Sequence, residues 1–211
     1  VEDLGDGLKA ISTLETRFQA TSGVTDSSVH HFQQSIMGLQ HARYGTLVFG
    51  RTYTVIFDLQ ATTFVAFNTQ GPYLNSFKPE AAMLLGARSD QQLKYTLNKG
   101  GLTVAAQYAF GHAPFSTTSG QSMGATAKYA WGGLAAGVGY LQRKDDDARK
   151  AKAYLAGVGY QAGPLYLNAS FMRNTFDDGL NSGLMLVGLG MDNSIVGAHA
   201  GQTSTRVAHR N

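Results

Sequence analysis

The chain has 211 residues and no cysteine, and its 17 Lys and Arg against 14 Asp and Glu give a net charge of +3. This length fits a single all-β domain or one to two ordinary domains, and the missing cysteines exclude a disulfide framework and a cysteine-ligated metal site. A hydrophobic content of 43% excludes disorder, and no stretch approaches the roughly 18 apolar residues of a membrane helix. Charged residues are only 15% and scattered, so nucleic acid is a poor candidate partner, whereas a membrane β-barrel stays open.

Alternation of apolar and polar residues with a period of two predicts β-strands along much of the chain. In the segment 102–111, for example, Leu102 and Tyr108 share one face while Thr103 and Gln107 share the other. A soluble β-sandwich and a membrane barrel both produce this pattern. In chain order, the segments that show it most clearly are 8–18, 91–97, 102–111, 122–132 and 165–171.

Aromatic residues cluster toward the ends of these segments, where the interfacial girdles of a membrane barrel lie. The connections between the segments alternate between tight and long, which is typical of an up-and-down barrel with short turns at one rim and long loops at the other. The tight connections are 4–7, 41–45, 98–101, 132–133, 162–164 and 192–193, and the long ones are 19–30, 58–87, 111–121, 142–149 and 174–182.

The connection 58–87 is anomalous because it is long and also apolar, with residues such as Phe64, Phe67 and Leu84. An apolar loop must pack on something, so in a barrel we expect it to fold inward and narrow the channel. The run that begins at Pro79 can form a short helix, since proline suits a first helical turn. A lid or core helix of a soluble domain is the alternative.

Three segments resemble the trimeric general porins of Gram-negative bacteria, in particular those of Neisseria-like and Burkholderia-like β-proteobacteria. The first runs from Glu2 to Ala10 (EDLGDGLKA), and the second is the hairpin around 44–53 (YGTLVFGRTY). The third comprises 88–96 (RSDQQLKYT) followed by 107–111 (QYAFG). The resemblance extends loosely over nearly the whole chain.

This resemblance implies an all-β fold, an antiparallel up-and-down transmembrane β-barrel that assembles as homotrimers in the bacterial outer membrane. The family barrel has about sixteen strands, of which 211 residues supply about 11–12. We therefore expect one barrel domain over 1–211 that lacks strands at both ends, with 58–87 as the inward-folded third loop. The implied function is passive diffusion of small hydrophilic solutes and ions, without a cofactor, beside outer-membrane lipid and lipopolysaccharide.

Fixed charge on the wall of such a pore sets its ion preference. Alternation alone places five charged residues on the polar face, namely Lys9, Glu15, Arg17, Lys94 and Lys128. By resemblance, Arg51 and Arg88 match constriction arginines of the family, and Asp58 and Glu80 are the acids of the loop opposite them.

Arg51 is out of phase, because it alternates with the apolar Leu47 and Phe49. It reaches the polar face only if the strand bulges at Gly50 or ends there. Gln33 stands where the family has a further arginine, so we expect a mild anion preference.

Other chemistry is poorly supported. The six histidines show no metal-ligand spacing, and the run Asp145–Asp147 is flanked by basic residues, which indicates a charge-balanced loop with divalent cations or lipopolysaccharide as alternative partners. A lectin-like soluble module remains the main alternative. An outer-membrane hydrolase would need a Ser–His pair, for which only Ser194 and His199 are candidates.

Overall fold

The structure is a computed structural model that describes residues 1–25, 32–64, 87–111, 120–145 and 147–180. In these ranges ten antiparallel strands form one sheet in which every strand pairs with its neighbours in sequence, and β1 and β10 are the first and last strands. The elements are β1 (Glu2–Gly5), β2 (Leu8–Thr16), β3 (Phe32–His41), β4 (Gly45–Tyr53), α1 (Val55–Thr63), β5 (Arg88–Lys99), β6 (Leu102–Ala109), β7 (Ser122–Trp131), β8 (Leu134–Lys144), β9 (Lys150–Ala162) and β10 (Leu165–Phe176).

The register separates the sheet into two chemically different faces. One row of paired residues is Val48, Lys94, Gln107, Gly124 and Leu141, and the face that carries this row is called the inner face. The adjacent row is Phe49, Leu93, Tyr108 and Met123, and its face is called the outer face.

The outer face is apolar and yet exposed. Leu93, Tyr108 and Trp131 keep 40%, 36% and 51% of their surface accessible. In a soluble sandwich such residues would be buried in the core, whereas in a membrane sheet they meet lipid. The alternation in the sequence therefore predicts both faces correctly.

The alternation of short and long connections is confirmed for the described residues. Five tight turns join β1 to β2, β3 to β4, β5 to β6, β7 to β8 and β9 to β10, and they define the turn end of the sheet. The connections between these pairs lie at the opposite end, called the loop end. The turn predicted at 192–193 lies outside the described residues.

Two predicted loop boundaries are wrong. Residues 142–144 belong to β8 and residues 174–176 to β10, because the ladder continues there with regular pairs such as Gln142 with Lys152. The polar side chains of these residues indicated a loop in the sequence. However, a strand that continues beyond its apolar segment also has polar side chains at its end.

Helix α1 was not predicted, and it packs on the inner face. Thr54 is its N-cap and accepts a hydrogen bond from the amide of Phe57 at 3.4 Å. The helix begins three residues before the predicted start of the long connection. Its buried residues Ile56 and Leu59 lie in one apolar cluster with Leu141 of β8 and with Ala151, Ala153 and Leu155 of β9.

Glycines on the inner face make room for α1. A Cβ atom at Gly139 would come within 3.2 Å of Leu59 and 3.5 Å of Ile56, and one at Gly137 would come within 2.8 Å of Leu59. The helix therefore lies closer to the sheet than larger residues would permit. Among the described residues no helix is both long and apolar enough to span a membrane.

Candidate pore-lining face

A cluster of charged side chains lies at the loop end, beside the start of α1. Arg51 of β4 forms an ion pair with Asp90 of β5 at 2.5 Å, and its Nε donates to the carbonyl of Phe32 at 3.1 Å. Only 9% of the Arg51 side chain is exposed. Its position depends on an irregularity in the β4–β5 ladder, where Gly50 pairs with Gln92 but Thr52 pairs with Ser89.

This irregularity lies beside Gly50, where the sequence pattern required a bulge of β4. The extra residue falls on β5, where Gln91 takes a left-handed conformation with φ 48°, and Gly50 itself has φ 131°. The extra residue on β5 puts Asp90 beside Arg51, and the two side chains form the 2.5 Å ion pair. Along β4 the pairing with β3 stays regular through Arg51, which lies opposite Ser35.

Arg88 lies in the same cluster at the first position of β5. Its guanidinium stacks over the Tyr53 ring at 4.3 Å and donates to the Tyr53 hydroxyl at 2.7 Å. Its Nη2 is 3.9 Å from a carboxylate oxygen of Glu15, whose other oxygen accepts from Gln34 at 2.5 Å. Stacking and hydrogen bonding fix Arg88 in one orientation, so its charge is held in place.

Lys94 and Asp58 form the link between the sheet and the helix. Lys94 Nζ lies 2.8 Å from Asp58 Oδ2 and 3.0 Å from the carbonyl of Tyr53. Asp58 is in the first turn of α1, where a carboxylate also interacts favourably with the helix dipole. The lysine is 11% exposed and the aspartate 42%, so the acid lies at the accessible edge of the pair.

Arg143 is a member of the cluster that sequence reasoning missed. It is fully buried on β8, and its Nη2 donates to Ser89 Oγ at 3.1 Å and to the carbonyl of Arg88 at 3.2 Å. Its Nε and Nη1 have no partner among the described residues. Arg143 lies two residues after Leu141 and therefore shares its face of β8. Sequence reasoning placed residues 142–149 in a loop and did not extend the alternation to Arg143.

The remaining predicted residues lie apart from this cluster. Lys9 pairs with Gln40 and Lys128 pairs with Gly137, so both are on the inner face but toward the turn end. Arg17 follows β2, which ends at Thr16, and Glu80 lies outside the described residues. Asp145 accepts from the amides of its own loop at 2.9 Å, and no group of metal-ligating residues occurs in the described ranges.

The sheet also caps the N-terminus of α1. The side-chain oxygen of Gln107, on β6, accepts a hydrogen bond from the amide of Val55 at 2.6 Å. We expect Gln107→Ala to lower the free energy of local unfolding of α1 by about 1 kcal/mol, because water replaces a well-placed hydrogen-bond acceptor. Hydrogen exchange of the Val55–Leu59 amides measures this loss, and exchange as slow as in the wild type would contradict it. Gln40→Ala, at the turn end, is the control.

Comparison with known proteins agrees with this geometry. The model of the Gram-negative porin family matches residues 1–206. The chain belongs to that family. No curated protein matches the chain at a significant level. The porin fold with an exposed apolar face identifies an outer-membrane protein, so the lectin-like alternative is wrong.

Among solved structures, a loop-deletion variant of OmpT, an outer membrane protein of Vibrio cholerae, matches with a TM-score of 0.62 and 19% identity. The match covers 83% of this chain and 58% of that chain, so the porin chain spans a little over half of that protein. In-vitro folded OmpT of Vibrio cholerae matches with a TM-score of 0.38 and 14% identity over 86% of this chain and 79% of that one. The first match supports the barrel-type fold.

Proposed function

We propose that this porin forms a water-filled channel for the passive diffusion of small hydrophilic solutes and ions. The observation that carries the proposal is the contrast between the two faces of one sheet. Leu93 and Tyr108 are exposed on the outer face, while Lys94 and Gln107, their immediate neighbours, lie on the inner face that α1 partly covers. Such a wall has lipid on one side and water on the other. The role needs no cofactor and no covalent step.

In this proposal residues 1–211 form one barrel domain, and the connection 58–87 is its constriction. The contact of α1 with the inner face at Gly137 and Gly139 supports an inward course for the start of this connection. Asp58 then lies on the constriction, and Glu80 is proposed as a second acid of the same segment.

The charges of the cluster favour a mild preference for anions. Arg51, Arg88 and Lys94 each have a carboxylate within 4 Å, namely Asp90, Glu15 and Asp58. Arg143 has no ion pair among the described residues, and Lys9 and Lys128 add positive charge nearer the turn end. The electrostatic potentials of the two charges in an ion pair nearly cancel at a distance. The unpaired cations therefore make the pore prefer anions, and the ion pairs keep this anion preference small.

We further propose a homotrimer as the working assembly, with outer-membrane lipid and lipopolysaccharide around it. The apolar outer face supports both contacts, because a barrel wall of this kind can be covered by lipid or by another subunit. Retention of trimers in unheated gel samples, with loss on heating, tests the assembly.

Reversal potentials across planar bilayers under a salt gradient test the channel and its selectivity. We expect Asp58→Asn to raise anion preference and Lys94→Gln to lower it, because each leaves one charge of the pair uncompensated. A unit charge at about 4 Å in water changes the local energy of an ion by about 1 kcal/mol, or roughly five-fold in local concentration.

Lys99→Gln is the matched control, since Lys99 pairs with the outer-face residue Leu102 at the turn end. If the reversal potentials of Asp58→Asn and Lys94→Gln shift in the same direction, the assignment of this ion pair to the pore is contradicted. Absence of any conductance from the folded protein would overturn the channel itself.

A further inference from the structure

A row of fully buried residues crosses the inner face at its loop end, beside the start of α1. Arg143 lies opposite Ser122 of β7 and opposite Ala151 of β9, and none of these three residues is more than 1% exposed. The row continues through Ala109 to Gln92, which have no exposed surface. We call Gln92, Ala109, Ser122, Arg143 and Ala151 the buried row. Its polar groups are out of contact with bulk water.

Hydrogen-bond donors outnumber acceptors at the buried row. Among the described residues Nε and Nη1 of Arg143 have no partner, and its Nη2 donates to Ser89. The hydroxyl oxygens of Ser89 and Ser122 accept from Arg143 and Gln107, and neither hydroxyl proton has an acceptor in the described chain. Within the row, the side-chain acceptor that lacks a partner is Gln92 Oε1. Buried donors without acceptors are costly, so the row requires a further acceptor.

The charge of Arg143 is also incompletely balanced. Asp90 attracts this guanidinium and Arg51 repels it, but Asp90 already forms the 2.5 Å ion pair with Arg51. Two guanidinium groups therefore share one carboxylate. The other carboxylates of the charged cluster face cations of their own, Asp58 with Lys94 and Glu15 with Arg88. A water molecule could satisfy the donors, but only an anion also balances the buried charge.

The N-terminus of α1 adds positive potential at the same place. Val55 is the first residue of this nine-residue helix, and a Cβ atom at Gly124 would come within 3.1 Å of its Cγ2. Gly124 follows Ser122 on the inner face of β7, so the helix begins one position away from the buried row. The partial positive charge at a helix N-terminus attracts anions.

We propose that Arg143 and Ser122 bind a chloride ion as a structural ligand between the sheet and the start of α1. Ala109 and Ala151 flank these two residues with small side chains, and complete burial favours a monatomic ion over a phosphate or carboxylate group. The inference goes beyond the proposed function, because the ion stabilises the fold whether or not the channel conducts. With Arg143 neutralised, Lys9 and Lys128 are the cations that set the anion preference.

Anomalous diffraction from crystals of the full-length protein soaked in sodium bromide locates the ion directly. Bromide replaces chloride and scatters anomalously. We expect a peak within hydrogen-bonding distance of Arg143 and Ser122. A peak only beside Arg88 or Lys94 would mark an anion in the channel and overturn the proposal. A map with water alone at Arg143 would overturn it as well.

The chloride dependence of stability tests whether the ion is a ligand of the folded state. Urea unfolding is compared in chloride and in gluconate at equal ionic strength, so that screening is the same and the larger anion cannot enter a closed site. Above the dissociation constant, each ten-fold rise in chloride should raise the ratio of folded to unfolded protein about ten-fold, because the folded state alone binds one ion. Equal stability of the wild type in both salts would refute the proposal.

Arg143→Met removes the guanidinium and keeps an unbranched side chain, and we expect it to abolish the chloride dependence. The matched control is Arg149→Met, since Arg149 is an arginine near the same end of the sheet whose side chain is 38% exposed. Its chloride dependence should equal that of the wild type. Dependence that survives in Arg143→Met, or is lost in Arg149→Met, would place the ion elsewhere. The wild-type measurements decide the question even if Arg143→Met does not fold.

Discussion

Replacing Asp90 by Asn is expected to lower the free energy of unfolding by about 3 kcal/mol. Asp90 forms the 2.5 Å ion pair with Arg51, whose side chain is 9% exposed. Arg143, fully buried, lies close by against Ser89. Removing the carboxylate charge leaves two buried guanidinium groups near each other, and an uncompensated buried charge is far more costly than a lost surface contact. Urea unfolding of the protein from lipid vesicles measures the change.

The control for this prediction is Asp147→Asn. Asp147 also pairs with an arginine, Arg149, at 3.0 Å, but its side chain is 63% exposed and that of Arg149 is 38% exposed. We expect a change below about 1 kcal/mol, because solvent screens an exposed pair. If Asp90→Asn and Asp147→Asn lower the free energy of unfolding equally, then burial does not determine how much the charged cluster contributes to stability.

Gly139→Leu is expected to displace α1 from the inner face and to raise single-channel conductance. Even the first added carbon would stand 3.1 Å from Thr126 and 3.2 Å from Leu59, so a full leucine side chain cannot fit while the helix stays in place. Overpacking of this kind costs about 1–3 kcal/mol. The population with a displaced helix then rises by roughly five- to 150-fold.

The matched control is Ala156→Leu, since Ala156 is an exposed residue of the outer face, where a larger apolar side chain meets lipid. Conductance should be as in the wild type. If Gly139→Leu folds and its conductance is also unchanged, α1 does not lie at the narrowest part of the pore, and the proposed constriction must be formed by other residues.

The strands could be predicted because their cause is local. A residue that faces water and a residue that faces lipid must alternate along a barrel strand, so Lys94 between Leu93 and Tyr95 already reveals both faces. The tight turns are equally local, since glycines such as Gly45 and Gly101 with positive φ are needed to reverse the chain. The position where a strand ends depends less on the neighbouring residues in the sequence. Arg143 was assigned to a loop because charge in the sequence does not say whether a ladder continues.

The charged cluster could be predicted only in part. Arg51, Arg88, Lys94 and Asp58 were named from the sequence. The structure pairs Lys94 with Asp58, Arg88 with Glu15 and Arg51 with Asp90. Asp90 and Arg143 were missed. Their importance comes from pairing across strands β4, β5 and β8, which are far apart in sequence, and no periodicity along one strand contains that information.

The sequence by itself determined that the chain alternates between two environments and turns back at regular intervals, because side-chain polarity and glycine conformation act within a few residues. Only the tertiary structure decided which charges neutralise one another and where α1 packs. Both depend on the register between strands, on the bulge beside Gly50, and on the space that Gly137 and Gly139 leave. Ion pairing and close packing fall off over a few ångströms, so they exist only once distant segments have been brought together.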